Sequence, residues 1–493
     1  MGQAYSMLIA LASVPIYMQY LGSEAYGLIA FFILLQNITI FLDFGLSVTI
    51  SRLIIKAKVT MNGFSSLGNI LKIAEIILMI AAIVMVFFIY ISAGYISNNW
   101  INPVILTQED ITYSLKLMSL IIGLKLYTTF YRTGIYGFED QIWNNKAIIF
   151  INTLKYIGSI AILIFFSKKI TSFFNYQVIV SFFEVALLRY RFYKNMPKEF
   201  SRQGLKKVYW AAIFEIAPFA LNITYTTVIV SIIMQLDKLL LSSIISLEEL
   251  GYLNVITSVT GLILIAVTPV FLSYLPKITR LANRGKAKEM RESYTQMTKI
   301  VALVTISTTA MLACNARGII YAITGSKVAQ EWSSEALVYY AIGTGFYVLC
   351  SAQYYLLNAI GNLKLYVIGC TISLVVLVPV IYFTINVYSV LGASYIWMLY
   401  GMLWFFLWGG IVHNRMLPGF HVKWLIKDIA PLAVSVSLTS LIASYLINNN
   451  QNESRIVVVL VSSATGIFIL LLNAFWFYEF RSSIINKIYK SKI

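Results

Sequence analysis

Charge is what this sequence has least of: Asp, Glu, Lys and Arg make up 12% of 493 residues, against 59% that are hydrophobic. Soluble chains carry about 25% charged residues, so a water-facing surface of this size cannot be assembled, and a soluble globule is excluded. Histidine and cysteine are scarce too. Two His (His413 and His421, near one loop) and three Cys (Cys314, Cys350 and Cys370, inside apolar stretches) provide no His-x-x-x-His, no cysteine pair at metal-ligand spacing and no disulfide framework. No Gly-Lys-Ser or Gly-Lys-Thr occurs, so no phosphate-binding loop and no ATPase motor is built in.

What is present is apolar sequence in long runs. About fourteen spans of about 20 residues consume nearly all the hydrophobic positions and leave no soluble catalytic domain. The expectation is an all-α integral membrane protein of about fourteen transmembrane helices. Residues Gln3 to Met18 lack a basic n-region and a small-residue cleavage pattern, so they read as the first span and not as a removed signal peptide. A net charge of +17 would suggest nucleic acid in a soluble protein; in a membrane chain the side on which the bases fall is the informative quantity. Counting alternate loops places 28 of the 37 Lys and Arg on one side, against six (Lys168, Lys169, Lys238, Arg317, Lys327, Arg455) on the other, with Lys116, Lys125 and Lys155 inside spans. The basic side is expected to be cytoplasmic, with both termini there and no nucleic-acid partner.

A repeat is visible at an offset of 224: Leu21-Gly22-Ser23-Glu24-Ala25-Tyr26-Gly27 answers Ser246-Leu247-Glu248-Glu249-Leu250-Gly251-Tyr252, and Gly137 answers Gly361. Within each match the two segments share a membrane side and a place in a six-helix count. The expected organisation is therefore a six-helix lobe over 1–192, a basic linker over 193–211, a second six-helix lobe over 212–415 and an extra helical pair with a basic tail over 423–493. Basic and aromatic residues together suit the linker to an anionic inner leaflet.

Charges inside spans are costly enough to be functional candidates. On the fourth span (111–135), Lys125, Thr128, Thr129, Arg132 and Tyr136 share one face of a 3.6-residue helix, whereas Lys116 sits about 180° from Lys125 and snorkels. Asn152, Lys155 and Ser159 share a face of the fifth span (147–167). Span two (27–50) carries Gln36, Thr39, Asp43 and Ser47 at one spacing, and span seven (213–238) carries Glu215, Pro218, Asn222 and Thr226 at the same spacing. Four polar stripes cannot face lipid, so they are expected to converge on an aqueous cavity; hydrogen-bond glue between helices, or pairing of Lys125 and Lys155 with an acid such as Glu184, is the structural alternative. Arg52 stands about 180° from Asp43, at the cytoplasmic end of its helix, in the manner of a topology arginine.

The opening with Leu21-Gly22 to Tyr26-Gly27, the second helix with Leu42-Asp43-Phe44-Gly45-Leu46 and later Arg52, and the seventh helix ending Gln235-Leu236-Asp237-Lys238 before Leu250-Gly251-Tyr252 together resemble the Wzx-type polysaccharide (O-antigen) flippases of the multidrug/oligosaccharidyl-lipid/polysaccharide exporter superfamily. The resemblance covers most of the chain. It implies a MATE-like pair of six-helix bundles in the bacterial cytoplasmic (inner) membrane, moving an undecaprenyl-diphosphate-linked oligosaccharide from the inner to the outer leaflet by alternating access. Lys125, Arg132 and Lys155, with Thr128, Asn152 and Asn222, would line its cationic cavity, and Arg52 would stand at the cytoplasmic entrance. Asp43, Glu184 and Glu215 would be ion-coupling sites or counter-ions, with a proton or sodium gradient in place of any cofactor. The glycan polymerase and chain-length machinery are the partners implied. The lipid II branch has arginines in its first helix, where this chain has Gln3, Ser6, Ser13 and Tyr17.

Two other functions are open to such a chain. A multidrug or cation extruder of the same superfamily should favour acids at mid-depth, where this sequence has Lys125 and Lys155. A membrane-embedded glycan polymerase should carry a large outer loop, and the longest here is roughly 92–110.

Overall fold

The computed structural model describes residues 2–38, 46–59, 63–196, 210–448 and 455–476. Every regular element among them is helical, and nine of the described helical segments are long and apolar enough to cross a membrane. The chain divides into two compact units, Met1–Gly251 and Tyr252–Ile493. Most of the expected linker, 193–211, falls outside the described residues.

In the first unit, α1 (Gly2–Leu21), α2 (Ser23–Ile38), α3 (Leu46–Val59) and α4 (Gly63–Asn99) lead into α5 (Gln108–Gly137). Thr107 caps α5 by accepting from the Asp110 amide at 3.2 Å, and Glu109 and Asp110 place negative charge against the helix N-terminus. The fifth expected span is not one regular helix. It is α6 (Gln141–Thr153), a π-helical turn over Leu154–Gly158, and α7 (Ser159–Phe165). After it come α8 (Ile170–Lys194) and α9 (Trp210–Leu241). Ile50, Ile54, Leu71, Leu78, Phe130, Tyr131, Leu188 and Phe192 form the apolar core that packs α3, α4, α5 and α8 together.

Helix α10 (Leu247–Asn283) begins in the first unit with a reciprocal cap: Ser246 Oγ accepts from the Glu249 amide at 3.2 Å, and Glu249 Oε2 accepts from the Ser246 amide at 2.8 Å. The acid in the corresponding loop of the first repeat does something different. Glu24, 5% exposed, accepts from the amides of Val104, Ile105 and Leu106 at 2.5, 2.6 and 3.1 Å and so straps the loop between α4 and α5 onto α2.

The second unit holds α11 (Ala287–Cys314), α12 (Ala316–Thr324), α13 (Lys327–Ile360) and α14 (Lys364–Leu403), which passes through a π-turn, Trp404–Trp408, into α15 (Gly409–Met416). Expected spans eleven and twelve are therefore two helices that follow one another directly, separated by a kink at Ser389, whose φ of 51° is not helical. The ninth expected span likewise divides, into α11 and α12 at Asn315. The extra pair is α16 (His421–Trp424), a π-turn over Leu425–Ile429 and α17 (Ala430–Asn448), followed by α18 (Arg455–Trp476). Ser435, Thr439 and Asn473 bond α17 to α18, with Ser435 Oγ donating to Asn473 Oδ1 at 2.6 Å. In a medium without water such polar side chains hold helices together.

Candidate functional site

Glu184 of α8, 3% exposed, is the centre of the strongest charge constellation in the first unit. Arg132 of α5 reaches its Oε1 at 2.7 Å and Lys155 reaches its Oε2 at 2.6 Å, one cation on each carboxylate oxygen. Asn144 of α6 braces the arginine, its Oδ1 accepting from Arg132 Nη1 at 3.4 Å. Lys125, half-buried, is electrostatically coupled to Glu184, Lys155 and Arg132. Among the described residues it has no ion pair of its own. Three cations thus surround one acid, and the surplus is positive. Desolvated charge of one sign is tolerated only when compensated, and Glu184 is the acid that compensates here.

The π-turn positions Lys155. Widening the helix by one residue releases main-chain carbonyls, and inside a membrane each needs a partner. Tyr176 donates its hydroxyl to Leu154 O at 3.0 Å, Gln177 and Ser159 donate to Lys155 O at 3.0 and 2.5 Å, and Tyr17 donates to Tyr156 O at 3.2 Å. The turn is therefore held from α1, α7 and α8. Gly158 makes room for it, because a β-carbon there would lie 1.9 Å from the Tyr176 oxygen.

The other expected site residues are placed unevenly. Thr128 lies on the expected face of α5 but is 3% exposed, and its hydroxyl, like that of Thr129, donates back to Lys125 O, at 2.8 and 3.0 Å respectively. Such back-bonding uses up the donor in the helix itself. Asn152 turns to α1 and donates to Ser6 Oγ at 2.7 Å, so it does not join Lys155 at Glu184. The π-turn is the reason: a residue inserted into the 3.6-residue repeat rotates one side of the turn relative to the other. Asp43 lies outside the described residues, as do the side chains of Arg52, Glu215 and Asn222.

A second, half-buried acid had no place among the sequence candidates. Glu75 of α4 accepts from Tyr131 and Tyr193, each at 2.5 Å, and Arg189 lies at 3.7 Å. It is the single acid of span three, and that isolation was its signal. Beyond the end of α5, Asp140 takes Arg191 at 2.6 Å and Asn195 at 3.0 Å. Burial alone would raise the Asp140 carboxyl; hydrogen bonds from Asn195 and Arg191 and the guanidinium charge outweigh it and hold the group below its ordinary value.

The chain's relatives agree with this architecture. The family model for polysaccharide biosynthesis proteins matches residues 1–282, and the MatE model matches residues 223–383. No curated protein sequence matches the chain. Among solved structures, "Lipid II flippase MurJ, inward closed conformation" aligns over 97% of this chain and 98% of its own at 17% identity, with a TM-score of 0.74. An inward-facing multidrug resistance MATE family transporter of the MOP superfamily aligns over 83% of this chain and 95% of its own at 14% identity, TM-score 0.66. A MOP superfamily transporter from Pyrococcus furiosus aligns over 84% and 93% at 16% identity, TM-score 0.54. With the first family model covering more than half of its length, the chain belongs to the polysaccharide biosynthesis protein family and is a multi-pass membrane transporter of the multidrug/oligosaccharidyl-lipid/polysaccharide exporter superfamily.

Proposed function

We propose that this protein is a flippase that carries an undecaprenyl-diphosphate-linked oligosaccharide, the repeat unit of an O-antigen or related polysaccharide, from the inner to the outer leaflet of a bacterial cytoplasmic membrane. The observation that carries the reading is the positive surplus at Lys125, Arg132 and Lys155 around the single acid Glu184. A diphosphate loses its hydration on entering the membrane, and cations already desolvated and held in place offset that loss. Lys125, with no ion pair among the described residues, is the first contact; Arg132 and Lys155 are pre-oriented by Glu184. Glu184 is the fixed counter-ion of the set. Coupling to a proton or sodium gradient then falls to Asp43 or Glu215. Such a protein works beside the polymerase and chain-length machinery that consume its product.

The first helix supports a polysaccharide unit over lipid II, since Ser6, Ser13 and Tyr17 are uncharged and are engaged by Asn152, Ile9 O and Tyr156 O. The MatE match over residues 223–383 favours a second reading, multidrug extrusion. One experiment separates the two. In a strain lacking the gene, Lys125→Ala should keep the protein level and lower surface glycan, Lys125→Glu should lower it further, and Lys125→Arg should retain part of it. Normal surface glycan with Lys125→Glu at unchanged protein level would overturn the assignment.

A further inference from the structure

The only two histidines of the chain meet in the second unit, away from the cation cluster. Tyr294 of α11 lies with its hydroxyl 2.8 Å from His413 Nε2, and His413 Nδ1 lies 3.0 Å from His421 Nδ1. The main chain of Phe406, in the π-turn Trp404–Trp408, lies beside the His421 ring. Tyr294 and His413 are fully buried and His421 is 7% exposed.

The protons in this chain can run in two directions, and the contacts decide between them. If His413 carried its proton on Nε2, the Tyr294 hydroxyl would have no acceptor. In the opposite direction Tyr294 donates to His413 Nε2 and His413 Nδ1 donates to His421 Nδ1, which leaves His421 its own proton on Nε2. Both rings are then neutral, as different tautomers.

We propose that Tyr294, His413 and His421 form a proton-binding latch that ties the C-terminal helical pair to α11 and lets go when either imidazole takes up a proton. A proton on His421 sets two N–H groups against each other at the Nδ1 pair. A proton on His413 must go to Nε2, and the Tyr294 hydroxyl then turns away into the rings of Phe420 and Trp424, which pack on His413 with centroids 5.1 Å away. A proton on His421 thus breaks a buried hydrogen bond, and one on His413 reverses the bond to Tyr294 and leaves the hydroxyl hydrogen without an acceptor; both are unfavourable in a buried site.

The surrounding titratable and charged groups supply no compensation. Tyr294 and Cys350 are neutral, Arg291 of α11 lies over the Phe420 ring, Lys299 of α11 pairs with Asp428 at 3.4 Å, and Arg415 and Lys423 flank the two rings in sequence. Among the described residues no carboxylate pairs with either imidazole. The latch has two parallel ties, Trp424 Nε1 to Thr298 Oγ1 at 3.0 Å and Lys299 to Asp428, so its release opens residues 421–429 locally and does not unfold the unit. The ligand is a proton, and the proposal stands whether or not the flippase reading does.

With two histidines only, ¹⁵N-histidine labelling of the full chain, purified through a tag free of histidine, reads both rings directly. Near pH 7.5 one ring should carry its proton on Nδ1 and the other on Nε2, with a coupling across the Nδ1 pair. Two Nε2–H tautomers would overturn the proposal. Hydrogen–deuterium exchange of residues 421–429, corrected for intrinsic rate, should accelerate by up to about tenfold per pH unit as the rings titrate. His421→Asn offers Oδ1 where Nδ1 stood, and His413→Gln cannot be protonated, so both should remove most of that acceleration. An unchanged pH response in the double variant would also overturn the proposal, and the tautomer measurement on the native chain decides the matter if a variant fails to fold.

Discussion

Gly27 and Gly251, the two glycines related by the 224-residue offset, pack against each other. A β-carbon on Gly251 would lie 3.1 Å from Gly27 N, and one on Gly27 would lie 1.7 Å from Leu247 O. The first turns of α2 and α10 therefore meet backbone to backbone, as small residues permit inside a membrane. The asymmetry makes a prediction. Gly27→Ala forces the α10 N-terminal turn away and should lower stability by about 1–3 kcal/mol, whereas Gly251→Ala asks its neighbours to yield only a few tenths of an ångström and should cost clearly less. Thermal unfolding of the two variants in the same detergent checks the order; equal losses would mean that the contact relaxes freely.

Glu184 makes the opposite kind of prediction from Lys125. Removing Lys125 relieves a surplus of positive charge, but Glu184→Ala leaves Arg132 and Lys155, both half-buried, without the buried acid that pairs them. Breaking such a buried pair costs about 3–5 kcal/mol. Folded protein should therefore fall with Glu184→Ala and hold with Lys125→Ala, as read by fluorescence-detected size exclusion. Lys155→Met combined with Glu184→Gln should recover much of the protein and little of the export.

How far the sequence discloses this arrangement depends on distance along the chain. The helical class, the basic and sparse sides, and the common face of Lys125 and Arg132 follow from composition and a 3.6-residue period, which are local. Glu184 as partner of Lys155 was one of two open readings, because an acid and a base on different spans announce no distance. The π-turn at Leu154–Gly158 was hidden: its causes are the side chains of Tyr17, Tyr176 and Gln177, and two of these helices lie far from it in sequence. Glu24 and Glu249 sit in corresponding loops of the repeat, yet one straps a loop through three amides and the other closes its own cap. Gly137 and Gly361 differ in the same way. The first faces the Ser51 backbone at 3.0 Å, whereas the second ends a helix at a φ of 78° with open space around it.

The π-turn is open to test through Gly158. Gly158→Ala would drive its methyl into the Tyr176 hydroxyl and should displace that ring, shift Lys155 away from Glu184 and lower export at reduced stability. Tyr176→Phe in the same background removes the oxygen and leaves Leu154 O without its donor, so Gly158→Ala/Tyr176→Phe should regain part of the lost stability and not all of it. Additive losses in the double variant would place the strain elsewhere.

Topology gives a prediction independent of the site. If the basic side is cytoplasmic, single cysteines at Ser201, Asn283 and Lys490 should be protected from an impermeant thiol reagent in intact cells, and those at Asn98 and Asn450 should react. Cys314, Cys350 and Cys370 must be replaced first. Labelling at Ser201 from outside would invert the orientation and with it the direction of transport.

Asp140 supplies a dependence on pH whose sign is fixed by its hydrogen bonds. Its folded carboxyl is held below the ordinary value by Asn195 and Arg191, so folding favours the ionised form. The stabilisation is fully present above the unfolded value, about 3.9, and is lost as pH falls through the folded one. The pair is partly exposed, with side-chain accessibilities of 25% for Arg191 and 21% for Asp140, so solvent screening limits it to about 1 kcal/mol or less. Asp140→Asn should thus unfold at a slightly lower temperature than the native protein near neutral pH, and the gap should close on acidification below about pH 4. A gap that widened with acid would mean that the clamp favours the protonated carboxyl, with Asn195 accepting a proton from Asp140 instead of donating to it.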